Sequence, residues 1–148
     1  MQRLMLANWE IQYDRAATAA GYERLAQLDA AICDCDYCQN WRATRRDILP
    51  EAFQQLLIQL GIPLDGEIEI CHYGRLESGL HLYGPWYHFV GRIIVGELES
   101  APSIEHEKFR YYFHSHPALL HKAFEGHAVV QLEVESEVPW LSDIPEAK

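Results

Sequence analysis

The chain has no run of about 18 apolar residues, the least a membrane-crossing helix needs. Its first ten residues, Met1 to Glu10, hold only a brief apolar stretch. They lack the apolar core, roughly seven residues or more, of a secretory signal. Both absences predict a cytoplasmic protein. Basic residues are scarce as well. Twelve Lys and Arg stand against 22 Asp and Glu, for a formal net charge of −10. A field of that sign repels phosphate backbones and anionic lipid, which argues against nucleic-acid and membrane-surface roles. The one local basic patch, Arg42, Arg45 and Arg46, reads as a solvated helix face. Enzyme signatures are missing too. There is no G-x-S-x-G, P-loop, G-x-G-x-x-G or H-E-x-x-H, and no pair of carboxylates is placed as general acid and base. Internal repeats, low-complexity segments and linkers are likewise absent.

What is present describes a globular protein. The 148 residues suit one domain, 1–148, and are 49% hydrophobic and 23% charged. A domain of this size buries about two-thirds of its unfolded surface, so it folds without disulfides.

Periodicity predicts the elements. Trp9, Ile11 and Tyr13 alternate with Glu10 and Gln12, a half-buried strand between Leu6 and Tyr13. Asp14 offers a cap to the alanine-rich stretch that follows, with Gly21 as a potential interruption. Pro50 to Leu60 is the clearest helix: Phe53, Leu56, Leu57 and Leu60 form one stripe, and Gly61 then Pro63 stop it. Strands follow. Glu67–Tyr73 alternates strictly. Leu80–Tyr83 and Trp86–Val90 flank Gly84-Pro85 and read as a hairpin, its second arm running on toward Val95. Phe109–His114 and Ala128–Glu135 are further strands. A first strand and helices followed by about five antiparallel strands predict an α+β domain.

The candidate chemistry starts with four cysteines, three of them in Cys33-Asp34-Cys35-Asp36-Tyr37-Cys38. In a reducing compartment such crowding reads as metal ligation or thiol chemistry before disulfides. Cys35-x-x-Cys38 is one zinc half-site, and Cys33 adds a third ligand. No second Cys-x-x-Cys exists, so a fourth ligand must come from Cys71, His72 or another histidine brought close by folding. The alternative is reduced cysteines packing a turn between two helices. Redox chemistry ranks behind both, because Asp34 and Asp36 flank Cys35 and are expected to raise its pKa, and no βαβ unit precedes it. A ligand-binding patch is read from His81, Tyr83, Trp86, Tyr87 and His88, an aromatic groove around the expected hairpin. His114-Ser115-His116 reads as a polar strand end, since Pro117 follows at once and Glu125 lies too far for a cupin-type metal motif.

These residues also carry a resemblance. Trp9-Glu10-Ile11, Cys35-x-x-Cys38-x-Asn40, Pro50, Leu60-Gly61-Ile62, Leu80-His81-Leu82-Tyr83-Gly84, Trp86-Tyr87-His88-Phe89-Val90-Gly91 and Val138-Pro139-Trp140 together resemble a family of uncharacterised bacterial proteins of similar length. The likeness covers most of the chain. It implies that the cysteine segment and the aromatic run belong to one design, and it implies no activity.

Three functional expectations follow. The first is a small binding or interaction protein with a structural zinc at Cys33, Cys35 and Cys38. The second is an enzyme using the His81, Tyr87 and His88 groove. The third is an acidic immunity-like or regulatory module with a basic protein partner.

Overall fold

The computed structural model describes residues 1–28, 33–96 and 103–146. Among these residues three helices and seven antiparallel strands form the α+β architecture that the patterning predicts, with more strands than the roughly five expected. Strands β1 (Gln2–Leu6) and β2 (Trp9–Tyr13) make a hairpin. In β2 the alternation holds, with Trp9, Ile11 and Tyr13 buried. β1 escapes the sequence pattern because only Leu4 on it is buried and its turn uses Ala7 at φ 51° instead of a glycine.

Helix α1 (Arg15–Gln27) starts at Asp14, whose Oδ1 accepts the Ala17 N–H at 2.9 Å. Gly21 does not break it. A Cβ there would lie 2.4 Å from the Phe124 ring, so the glycine admits a close contact. Helix α2 (Asp36–Ile48) leads to α3 (Glu51–Leu60), with Pro50 immediately ahead of α3. The α3 stripe, Phe53, Leu56, Leu57 and Leu60, is buried, and Gly61 ends the helix at φ 85°.

The other strands are β3 (Glu69–Arg75), β4 (His81–Val95), β5 (Ile104–His106), β6 (Phe109–His114) and β7 (Val129–Val138). A 3-10 turn covers Lys122–Phe124. The sheet order is β1-β2-β4-β7-β6-β5, with β3 also paired to β4. The expected hairpin at Gly84-Pro85 does not form. β4 runs through that dipeptide as one 15-residue strand. The β4–β7 ladder has a gap at Gly84 and Pro85, where the proline has no amide to donate, while the pairing of β3 with both residues keeps the strand extended. The hairpin turn lies earlier, where the Leu76 N–H donates to the Leu80 carbonyl at 2.7 Å.

β4 is shared along one edge. Its first half pairs with β3 and its last residues with β2. Between them α1 stands in for a strand. The Tyr22 hydroxyl donates to the His88 carbonyl at 2.8 Å and accepts the His88 N–H at 3.2 Å. Thr18 Oγ1 accepts the Val90 N–H at 2.9 Å. These bonds satisfy buried backbone groups that an open edge would orphan.

The register of β4 on β7 is continuous from His81 to Val90. Alternation therefore turns His81, Tyr83, Tyr87 and Phe89 to the inner face and Leu82, Gly84, Trp86 and His88 to the outer one. The inner face is the core, where Trp41 from α2 and Phe53 from α3 meet Tyr83 and Tyr87. The Arg patch divides accordingly. Arg46 is exposed, but Arg45 reaches inward and forms a two-pronged ion pair with buried Glu67 at 2.8 and 2.9 Å. Arg42 bonds the Cys33 carbonyl at 2.7 Å.

Candidate functional site

The start of α2 gathers three thiols. The Sγ atoms of Cys33, Cys35 and Cys38 all lie within 4.8 Å of one another, close enough to hold a metal ion. Cys35 is the N-cap of α2, and its Sγ accepts the Cys38 N–H at 3.5 Å. Cys33 and Cys35 are exposed, and Cys38 is buried. The segment is braced by α2 itself: Gln39 Nε2 donates to the Asp34 carbonyl at 2.7 Å, and Arg42 pairs with Asp34.

This placement reverses one expectation. The hydrogen bond from the Cys38 backbone N–H lowers the Cys35 pKa, despite Asp34 and Asp36 on either side. Both aspartates are exposed, so water screens them, whereas the helix-start amide points at the sulfur. Burial pushes the Cys38 thiol up to about 12. One helix start thus lowers the pKa of an exposed thiol and raises that of a buried one three residues on.

Among the described residues, no fourth Cys, His, Asp or Glu joins this group. Cys71 stands on the outer face of β3, where burial first and Glu69 next raise its pKa.

Beside the thiols runs a hydrogen-bonded relay that the sequence did not reveal. Tyr37, between Cys35 and Cys38 in the chain, stacks on His72 with centroids 3.9 Å apart and planes 11° apart. His72 Nε2 lies 2.9 Å from His81 Nδ1, and His81 Nε2 lies 2.7 Å from Glu146 Oε1. The carboxylate orders the tautomers. With His81 neutral, it donates from Nε2 to Glu146 and its Nδ1 accepts from His72 Nε2. Arg75 adds a cation to Glu146 at 3.3 Å. The hydrogen bond from His81 and the Arg75 charge lower the Glu146 pKa. Burial, with His81 beside it, lowers that of His72.

Tyr83 ties the relay to the thiols. Its hydroxyl donates to the Tyr37 carbonyl at 2.8 Å, its ring meets His72 edge-on at 5.0 Å, and burial pushes its pKa up to about 12. Asn40, fully buried, fastens the C-terminal segment over the same place. Its Oδ1 accepts from Leu141 and Ser142, and its Nδ2 donates to the Pro139 carbonyl.

The five residues expected to line one groove do not converge. His81 and Tyr83 belong to the relay on the inner face. Tyr87 is fully buried beside Phe53. His88, on the opposite face, bonds Gln131 at 2.9 Å and is covered by Phe124. Trp86 is half-buried on that outer face. The two rings of His114 and His116 meet at 6.3 Å near the end of β6, outside any metal-competent group among the described residues. Glu146 could not be found from sequence, because 65 positions separate it from His81. The weaker signal was His72 on the inner-facing parity of β3.

No family model, curated protein or solved structure matches this chain. Among the described residues no helix is long and apolar enough to cross a membrane.

Proposed function

We propose that the protein is a small metal-binding protein whose Cys33, Cys35 and Cys38 take up one thiophilic ion, zinc in the first instance. The clustering of the three sulfurs carries this reading. Zinc–sulfur bonds of about 2.3 Å place tetrahedral sulfurs about 3.8 Å apart, so small rotamer changes suffice to bring these thiols onto an ion. The helix start favours the thiolate form that a metal needs.

The structural role expected of the ion is confined to its own segment. All three ligands lie on one six-residue segment, and closing so short a loop recovers little chain entropy. α2 is anchored instead by Trp41, Asn40 and the Arg45–Glu67 pair. Two of the three thiols face solvent. Three thiolates leave the fourth zinc position to water or to a donor from a partner, so the site suits an exchangeable ion better than a sealed structural one.

Elemental analysis of protein purified without chelator tests the reading. About one equivalent of zinc is expected, released by chelator with the appearance of three reactive thiols. The Cys35→Ser/Cys38→Ser variant, folded by circular dichroism, loses the ion. Less than roughly a tenth of an equivalent, with three thiols titrating freely from the start, overturns it.

A further inference from the structure

We propose that the open half of the outer sheet face docks an arginine-bearing segment of a basic protein. This surface shares no ligand with the thiol site, and the inference is independent of it.

The outer face divides into two halves. Around His88 and Gln131 it is covered: the Ala118 N–H donates to Gln131 Oε1 at 2.8 Å, and Phe124 lies against His88. The other half retains solvent exposure across β3, β4, β7 and β6. The register sets Glu69, Trp86, Glu133 and Tyr112 side by side in one row over those four strands. Beside that row Gly84 leaves a gap, and the Tyr73 ring occupies it, 2.4 Å from where a Cβ would stand. Tyr73 is 60% exposed. Aromatic faces and carboxylates therefore alternate over the surface. Glu133 is held ready, since Tyr112 Oη donates to its Oε2 at 2.5 Å and Gln131 Nε2 donates to its Oε1 at 2.6 Å.

The face continues into an open hollow of about 360 Å³. Leu82, Glu105, Glu107, Glu135 and Glu137 line it, with Lys108 and Arg110 as its cations, and Arg110 is already paired with Glu135. Counting the row and the hollow, six carboxylates face two cations, so the local balance has the sign of the whole chain and is steeper. Such a surface is complementary to cations. Among cations it suits guanidinium best: a planar guanidinium stacks on a tyrosine or tryptophan face while its N–H groups reach a carboxylate beside the ring. An ammonium is compact and strongly hydrated, and it gains less from the rings. A nucleic acid or an anionic membrane is repelled, which leaves a basic protein segment as the occupant.

Fluorescence anisotropy of a labelled hexa-arginine peptide, with hexalysine as comparison, tests the proposal on the full chain at low and moderate salt. The peptide is expected to bind, and to bind more tightly than hexalysine. Glu69→Gln/Glu133→Gln is expected to weaken it by about tenfold or more, while Glu23→Gln/Glu51→Gln, which removes two exposed charges from the helices, changes it less than about twofold. Tyr73→Ala, at an exposed position that leaves the fold intact, is expected to erase the preference for arginine. Absence of binding at low salt overturns the proposal. So does equal weakening by the two glutamine pairs, which reports a general field, or an unchanged arginine preference in Tyr73→Ala.

Discussion

The side-chain oxygen of Asn40 accepts the backbone N–H of Leu141 at 2.9 Å, across 101 positions of chain. The same oxygen takes the Ser142 N–H at 3.0 Å, while the amide nitrogen donates to the Pro139 carbonyl at 3.1 Å. One buried amide thus fastens the C-terminal segment to α2, two residues from Cys38. Trp140 is held there against Tyr37 and His81. The cysteine segment and the Val138-Pro139-Trp140 segment, separate in sequence, form a single local structure.

Asn40→Ala leaves two backbone donors and a carbonyl unpaired beneath the tail. The expected cost is about 2 kcal/mol, because the three bonds are lost together and the groups they leave are only partly reached by water. Chemical denaturation measures it. Amide exchange at Leu141 and Ser142 should accelerate by more than exchange in β7. Uniform acceleration over the whole chain would mean that Asn40 supports the fold generally and does not fasten the tail.

The two cysteines of Cys35-x-x-Cys38 differ in reactivity. In metal-free protein near neutral pH, Cys35 is expected to react with a small aromatic disulfide well before Cys38, because one is an exposed N-cap sulfur and the other a buried thiol pushed up to about 12. Peptide mapping after brief exposure gives the order. Equal labelling of the two contradicts the burial difference between them.

Arg45 and Glu67 form an ion pair in which the carboxylate is almost fully enclosed. Burial raises the Glu67 pKa, and the Arg45 charge opposes that rise. Arg45→Ala therefore leaves a buried carboxylate alone, at an expected cost of about 3–5 kcal/mol. A folded-state pKa raised above the unfolded value makes a carboxylate progressively destabilising as pH rises through it. The loss in Arg45→Ala should therefore be larger at neutral pH than near the carboxylate range. Arg45→Met/Glu67→Leu should recover most of the stability. A double variant as unstable as the single one would show that the pair, and not its broken half, is what matters.

The relay gives the tail a pH dependence. Glu146 has a folded pKa below its unfolded one, so its contribution is present above the ordinary carboxylate range and is lost as pH falls through that lowered value. His72 is also lowered, by burial and by His81, so its neutral form is favoured. Its contribution is complete above the ordinary histidine pKa of about 6.5 and declines as pH falls below it. His88 is lowered by its own burial and declines in the same window. Urea midpoints measured from neutral to acid pH should fall in both windows. In His72→Gln the fall in the histidine window should be smaller, with the remainder due to His88. A profile identical to that of the parent chain in that window would remove His72 from the account.

The sequence by itself determined the elements whose signals are local. Asp14 and Gly61 set a helix start and a helix stop through bonds and dihedrals within a few residues. Phe53, Leu56, Leu57 and Leu60 marked a buried stripe by period alone, and Trp9, Ile11 and Tyr13 marked a strand face in the same way. The three thiols were legible for the same reason, since helical geometry at the start of α2 brings Cys35 and Cys38 together. Only the tertiary structure decided the rest. Gly84-Pro85 reads as a turn in isolation but is held extended by β3, because the pairing of neighbouring strands outweighs a local preference of about a kcal/mol. Arg45 reads as surface until Glu67 meets it. His81 gains its meaning from His72 on the adjacent strand and from Glu146, 65 positions away. Contacts between residues so far apart leave no period in the sequence, and they exist only once the sheet and the closing tail place the partners together.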